Sequence, residues 1–135
     1  MALLLVVATQ SAQAQTYTVL HRFHGKDGGE LEAGLVRDSA GNLYGATTLG
    51  GNGYGVVFKV DKTGHQTVLY AFTGEADGGT PEDRLIRDAE GNFYGTAQSG
   101  GNYGYGVVFE LDMTGKETVL YSFTGGAEGE NPKPV

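Results

Sequence analysis

Three groups of residues carry the chemistry this chain could perform. The first is the acidic loop Asp27-Gly28-Gly29-Glu30 and its copy Asp77-Gly78-Gly79-Thr80. Acids alternating with backbone carbonyls can hold calcium, but a calcium loop needs acids at fixed alternate positions and a closing Glu. Neither copy has them, and a third occurrence reads Glu128-Gly129-Glu130, so all three read as solvated turns. The second group is His21, His24 and His65 with Asp38 and Asp88. The histidines do not recur between copies, and no HxH or HExxH spacing is present for zinc. Asp38 and Asp88 do recur. Paired carboxylates could act as acid and base, but an Asp that opens a turn explains them more simply. No Ser/His/Asp constellation or G-x-S-x-G elbow occurs. No catalytic residue, metal ligand or cofactor is assigned.

The third group is the pair of glycine loops, Gly50 to Tyr54 and Gly100 to Tyr105. They hold Asn52, Tyr54, Asn102, Tyr103 and Tyr105. A tyrosine ring beside glycine and asparagine can stack on a sugar or peptide while amides hydrogen-bond to it. These five residues are the binding candidates. The competing reading is that the rings pack between structural units. Gly50-Gly51 lacks the following Lys and helix start that a phosphate cradle needs.

All three groups sit on a repeat. Gly41-Asn42-Leu43-Tyr44-Gly45 returns fifty residues later as Gly91-Asn92-Phe93-Tyr94-Gly95. Leu35-Val36-Arg37-Asp38 precedes the first copy and Leu85-Ile86-Arg87-Asp88 the second. Tyr54-Gly55-Val56-Val57-Phe58 matches Tyr105-Gly106-Val107-Val108-Phe109, and Thr67-Val68-Leu69-Tyr70 matches Thr118-Val119-Leu120-Tyr121. A period of this length marks a repeat architecture. The two copies differ by one-residue insertions around Glu75-Ala76 and at Tyr103, both in expected loops.

Within each copy the apolar residues alternate with period two, as in half-buried strands. Expected strands run Gly34 to Asp38, Leu43 to Thr48, Tyr54 to Val60 and Gln66 to Phe72. The turns Ser39-Ala40-Gly41-Asn42 and Asp61-Lys62-Thr63-Gly64 use residues that tolerate positive φ or open a turn. Four short antiparallel strands per copy describe a β-propeller blade. Such a sheet is too thin to cover its faces and must lie against its neighbour. The fold class is therefore all-β: two four-stranded propeller-like blades, Gly34 to Phe72 and Arg84 to Phe123, joined by a crossover from Thr73 to Asp83. Thr16 to Phe23 is expected as an orphan fourth strand, giving an incomplete β-propeller. As repeats the divisions are about 20–68 and 69–119, with a partial repeat at 120–135.

Composition bounds the rest. The 135 residues suit one domain, carry a formal charge of −7 and include 24 glycines, well above the usual ~7%. Acids are dispersed and Lys and Arg are few, which argues against a nucleic-acid partner. There is no cysteine, so disulfides and thiolate metal sites are excluded. Met1 to Gln15 has its own character. The apolar run Leu3 to Ala8 precedes Ser11-Ala12-Gln13-Ala14, with small residues three positions and one position before a cut after Ala14. This is the pattern of a secretory signal peptide over 1–14, although no basic n-region precedes it. Residues 15–135 would then form the mature repeats, secreted or at the cell surface. No segment approaches the ~20 apolar residues of a membrane-spanning helix.

The phrases Gly41 to Gly45, Gly50-Gly51-Asn52, Gly55-Val56-Val57-Phe58 and Thr118 to Gly126 resemble the GloVer tandem repeat of exported bacterial proteins. The likeness covers almost all of Thr16 to Gly126. Asp38 to Tyr44 also resembles, more weakly, the first hairpin of NHL-type blades. The GloVer resemblance implies an exported propeller-like array and no particular reaction. Members of that family usually carry more repeats, and propellers close with about four to eight blades. The chain is accordingly expected to be a piece of a longer array or to assemble from several copies, and an isolated sample to oligomerise or be marginally stable. Its expected partners are other repeats, in the same or another chain, and a glycan or surface protein. The leading function is a structural and interaction module. The alternatives are a saccharide-binding module using the loop tyrosines, or part of a propeller hydrolase or lyase.

Overall fold

A computed structural model describes residues 16–31 and 33–127. The expected signal peptide, 1–14, and the third acidic turn, Glu128 to Glu130, lie outside the described residues. The described chain is all-β, apart from one 3-10 turn at Gly25–Asp27. It forms two antiparallel sheets and no closed sheet. The first holds β1 (Val36–Arg37), β2 (Leu43–Thr47), β3 (Val56–Val60) and β4 (Gln66–Ala71), in that spatial order. The second holds β5 (Gly79–Pro81), β6 (Ile86–Arg87), β7 (Phe93–Ser99), β8 (Val107–Leu111) and β9 (Glu117–Ser122). Its path is β5-β7-β8-β9, and β6 also pairs with β7.

The registers repeat as the sequence does. Leu43 faces Val60 and Gly45 faces Phe58, while Phe93 faces Leu111 and Gly95 faces Phe109. Each sheet carries an irregularity at the same place, between Val57 and Phe58 and between Val108 and Phe109. A slip there returns Val68 to the face of Phe58 and leaves Tyr70 opposite Val57.

Two sequence expectations are corrected. Residues 16–23 adopt no strand. A strand exists through its ladder partner, and no described neighbour offers residues 16–23 one. The Phe23 ring nevertheless packs edge-on against Phe58 at 4.9 Å, as Phe72 packs against Phe109 at 5.1 Å. The segment keeps the placement of β4 without its hydrogen bonds. Second, the Thr73 to Asp83 crossover contains a strand. Gly79 pairs with Ser99 and Pro81 with Ala97, so the outer edge of the second sheet is one strand broken between β5 and β6. Proline is tolerated there because it sits on an edge. In the first sheet the matching feature shrinks to a single bridge, Gly29 to Leu49.

The sheets lie face to face. Tyr44, Ala46 and Val57 of the first meet Leu85, Phe93, Ala97, Val107, Phe109 and Leu111 of the second, with Phe72 in the same cluster. Tyr44 and Phe93 are 4.6 Å apart between ring centroids. Each such side chain fully removed from water contributes about 1.5–3 kcal/mol. This interface is the chain's main core. A second cluster, Val56, Phe58 and Val60, lies on the opposite face of the first sheet, under Phe23 and Ala71.

Candidate functional site

The recurring carboxylates are turn builders. Asp38 accepts from the Ala40 amide at 3.0 Å, the Asn42 amide at 2.9 Å, the Asn42 side-chain amide at 2.9 Å and the Tyr44 hydroxyl at 3.0 Å. Asp88 repeats the Asn92 and Tyr94 contacts. The Asn42 side-chain bond foremost, helped by the Asn42 and Ala40 amides and the Tyr44 hydroxyl, outweighs desolvation. It holds the Asp38 carboxyl down at about 2. Such a group is a poor base near neutrality. Asp61 and Asp112 each bind two amides and a threonine hydroxyl in the β3–β4 and β8–β9 turns.

The acidic loops follow the same logic. Asp77 accepts the Tyr70 hydroxyl at 2.9 Å, the Thr73 amide at 2.8 Å and the Thr73 hydroxyl. Asp27 accepts the His24 amide at 2.5 Å and faces His21 Nε2 at 2.9 Å. His21 therefore takes the role of Tyr70, a link that a comparison of residue types alone does not reveal. Burial pushes the Asp77 carboxyl up, but the Thr73 and Tyr70 bonds more than offset it and its pKa ends below the ordinary value. Among the described residues, no three His, Asp or Glu side chains converge as metal ligands.

The glycine loops divide the five binding candidates. Tyr54 lies over Gly74, and Tyr105 over Gly125, where a Cβ would fall 2.7 Å from ring carbons. Both glycines have positive φ, +79°. The Tyr54 carbonyl also accepts the Thr80 amide at 2.7 Å. Tyr54 and Tyr105 thus clamp the crossover that leaves each sheet. Asn52 donates to the Phe72 carbonyl at 3.4 Å, and the Asn102 amide donates to Ser122 at 3.5 Å. Tyr103 differs: it is the inserted residue and is 61% exposed.

The sequence profile of the Gloeobacter/Verrucomicrobia repeat family matches residues 6–134. The chain belongs to that family. No curated protein matches it. The Gloeobacter/Verrucomicrobia repeat accounts for the paired turns, since each repeat brings its own Asp, Asn and Tyr. It also carries a feature that sequence reasoning passed over. Arg37 and Arg87 occupy the same place in the two copies. With Arg84 and Asp83 they line an open concavity of about 600 Å³ between the sheet edges. The Arg87 guanidinium carbon sits 6.0 Å from the Tyr44 ring and 5.9 Å from the Phe93 ring, bridging the two repeats. The recurrence of Arg after Val36 and Ile86 was the available signal.

Proposed function

We propose that this chain is a structural and interaction module, exported from the cell, whose repeats stack as propeller-like blades and present loops at their edges. One observation carries the reading: the recurring aspartates are occupied within their own turns. Asp38, Asp61, Asp88 and Asp112 each accept two or more bonds from their own loop. That is the use of a scaffold, not of an acid–base centre. Export is supported by the apolar run and small-residue site over 1–14. The test is turnover of chromogenic glycoside, ester and uronide substrates by the purified chain. The scaffold reading expects none. Activity that co-purifies with the chain and disappears in Asp38→Asn and Asp88→Asn variants that remain folded would overturn it.

A saccharide-binding role is favoured by one residue, Tyr103. Tyr103 is more exposed than Tyr54 and Tyr105, and among the described residues no glycine lies under its ring. An exposed aromatic at a loop tip suits stacking on a sugar face. Screening a glycan array with the native chain and with Tyr103→Ala checks this: binding lost in the variant supports it, and an array without signal removes it.

A further inference from the structure

The interface inside the chain has two halves, and each half occurs once more in the other repeat. Tyr44, Ala46 and Val57 form the first half and are 9%, 4% and 0% exposed beneath the second sheet. Their counterparts one repeat later are Tyr94, Thr96 and Val108, on the far face of the second sheet. None of those three is buried, and Tyr121 beside them is 45% exposed. The other half of the interface is Leu85, Phe93, Phe109 and Leu111. Its counterparts, Leu35, Leu43, Phe58 and Val60, line a groove of about 280 Å³ on the near face of the first sheet. Leu85 is 2% exposed and Leu35 37%. The apolar surface that Tyr44 fills at the internal contact is therefore present again one repeat earlier, where residues 17–23 share the groove, Phe58 and Val60 are buried and Leu35 is left partly exposed.

Both contacts also hold charged groups. Inside the chain, Lys59 and Arg87 line the same small cavity beside Tyr44 and Phe93, together with Asp112. At the outer surfaces their counterparts are Glu110, paired across the sheet with Tyr94, and Arg37. Stacking the far face of one copy on the near face of another places an acid where the internal contact has a base. Asp61 takes the place of Asp112 there, so each contact holds charges of both signs.

We propose that a second copy of this chain docks head to tail, its Tyr94–Val108 face seated on the Leu35–Leu43–Phe58 groove. The proposal rests on the stacking-module reading given above. The contact is heterologous, one face against a different one, so it propagates until the rotation closes. It has a defined cost. Residues 16–23 already lie where β9 of the incoming copy would fall, with Phe23 on Phe58 in the manner of Phe72 on Phe109. Docking displaces that segment and replaces His21 and Phe23 by the partner's Tyr121 and Phe123. The segment has no strand pairing and Tyr17 is 90% exposed; the His21–Asp27 contact at 2.9 Å and the Phe23 ring on Phe58 are what docking must displace.

Sedimentation across a concentration series, using the full chain, tests this. The native chain should show mass rising in steps of one chain. Val108→Arg on the face and Leu35→Arg in the groove, each setting a charge in the apolar contact, should each weaken association about tenfold or more. An equal mixture of the two variants should recover a dimer and no larger species. In that dimer the unaltered face of the Leu35→Arg chain meets the unaltered groove of the Val108→Arg chain. Circular dichroism of each variant confirms that the sheets persist. A chain that stays monomeric at every concentration overturns the proposal. So does association indifferent to both substitutions, or association that appears only once 1–15 or 129–135 is removed, which would make those residues the natural cover. A monomer without enzymatic turnover would sink head-to-tail docking and leave the scaffold reading intact.

Discussion

The Gln66 side-chain amide donates to the backbone carbonyl of Asp27 at 2.9 Å, tying β4 to the acidic turn of its own repeat. Glu117 holds the same place in the second repeat, near Asp77, and its Oε1 is buried without a hydrogen-bond partner. Burial, with the Asp77 charge adding to it, pushes the Glu117 carboxyl up to about 7. Because the folded value is raised, this group favours the folded state most below its ordinary 4.5, and that contribution is lost as pH rises through about 7. Thermal midpoints of the native chain should therefore fall from mildly acidic to mildly alkaline pH. Glu117→Gln restores the amide found at Gln66. It should flatten that dependence and add about 0.5–1.5 kcal/mol at alkaline pH. An unchanged pH profile in the variant would remove this account.

Asp38 predicts the opposite slope at the acid end. Its carboxyl is depressed from 3.8 to about 2, so its contribution is complete above 3.8 and is lost as pH falls through about 2. Asp61, Asp88 and Asp112 are shifted in the same direction. Unfolding followed by tyrosine fluorescence should show a steep acid limb in that range. Asp38→Ala, which cannot hold the turn, should lower the midpoint at neutral pH as well.

Gly74→Ala should destabilise the chain by roughly 2 kcal/mol or more, from a side chain at positive φ and from collision with the Tyr54 ring. Tyr54→Ala removes the collision. In urea melts the double variant should therefore be more stable than the sum of the single changes implies, by about 0.5–3 kcal/mol. Strict additivity would show that the ring and the glycine are not coupled.

The two apolar clusters should respond unequally. Phe93 stacks on Tyr44 inside the inter-sheet core, so Phe93→Ala should cost about 3–5 kcal/mol. Phe23 is half-buried on a segment without strand pairing, so Phe23→Ala should cost only about 1–2 kcal/mol. Chemical denaturation of both variants gives the comparison.

Much of the fold was legible because repetition amplifies weak local signals. The expected strands Leu43 to Thr48 and Gln66 to Phe72 match β2 and β4 to within a residue, since the period-two alternation appears twice. The Asp38 and Asp61 turns were readable from Asp, Asn and Gly at fixed offsets. What failed depended on partners distant in sequence. Residues 16–23 have the composition of a strand and lack a ladder neighbour. Gly79 to Pro81 has the composition of a loop and becomes a strand because Ser99 and Ala97 lie beside it. The hydrogen bond that His21 and Tyr70 each make with an aspartate was hidden because imidazole and phenol look unrelated until their partners are known.

The matching registers of the two sheets have an evolutionary consequence. Each unit presents one surface to the unit before it and a different one to the unit after. Lengthening the gene by one in-frame period would create one junction of a kind already in use, and deleting a period would remove one. Neither event requires new side chains in the interior. Copy number can thus change while the kind of contact that Tyr44 makes with Phe93 is kept at each junction.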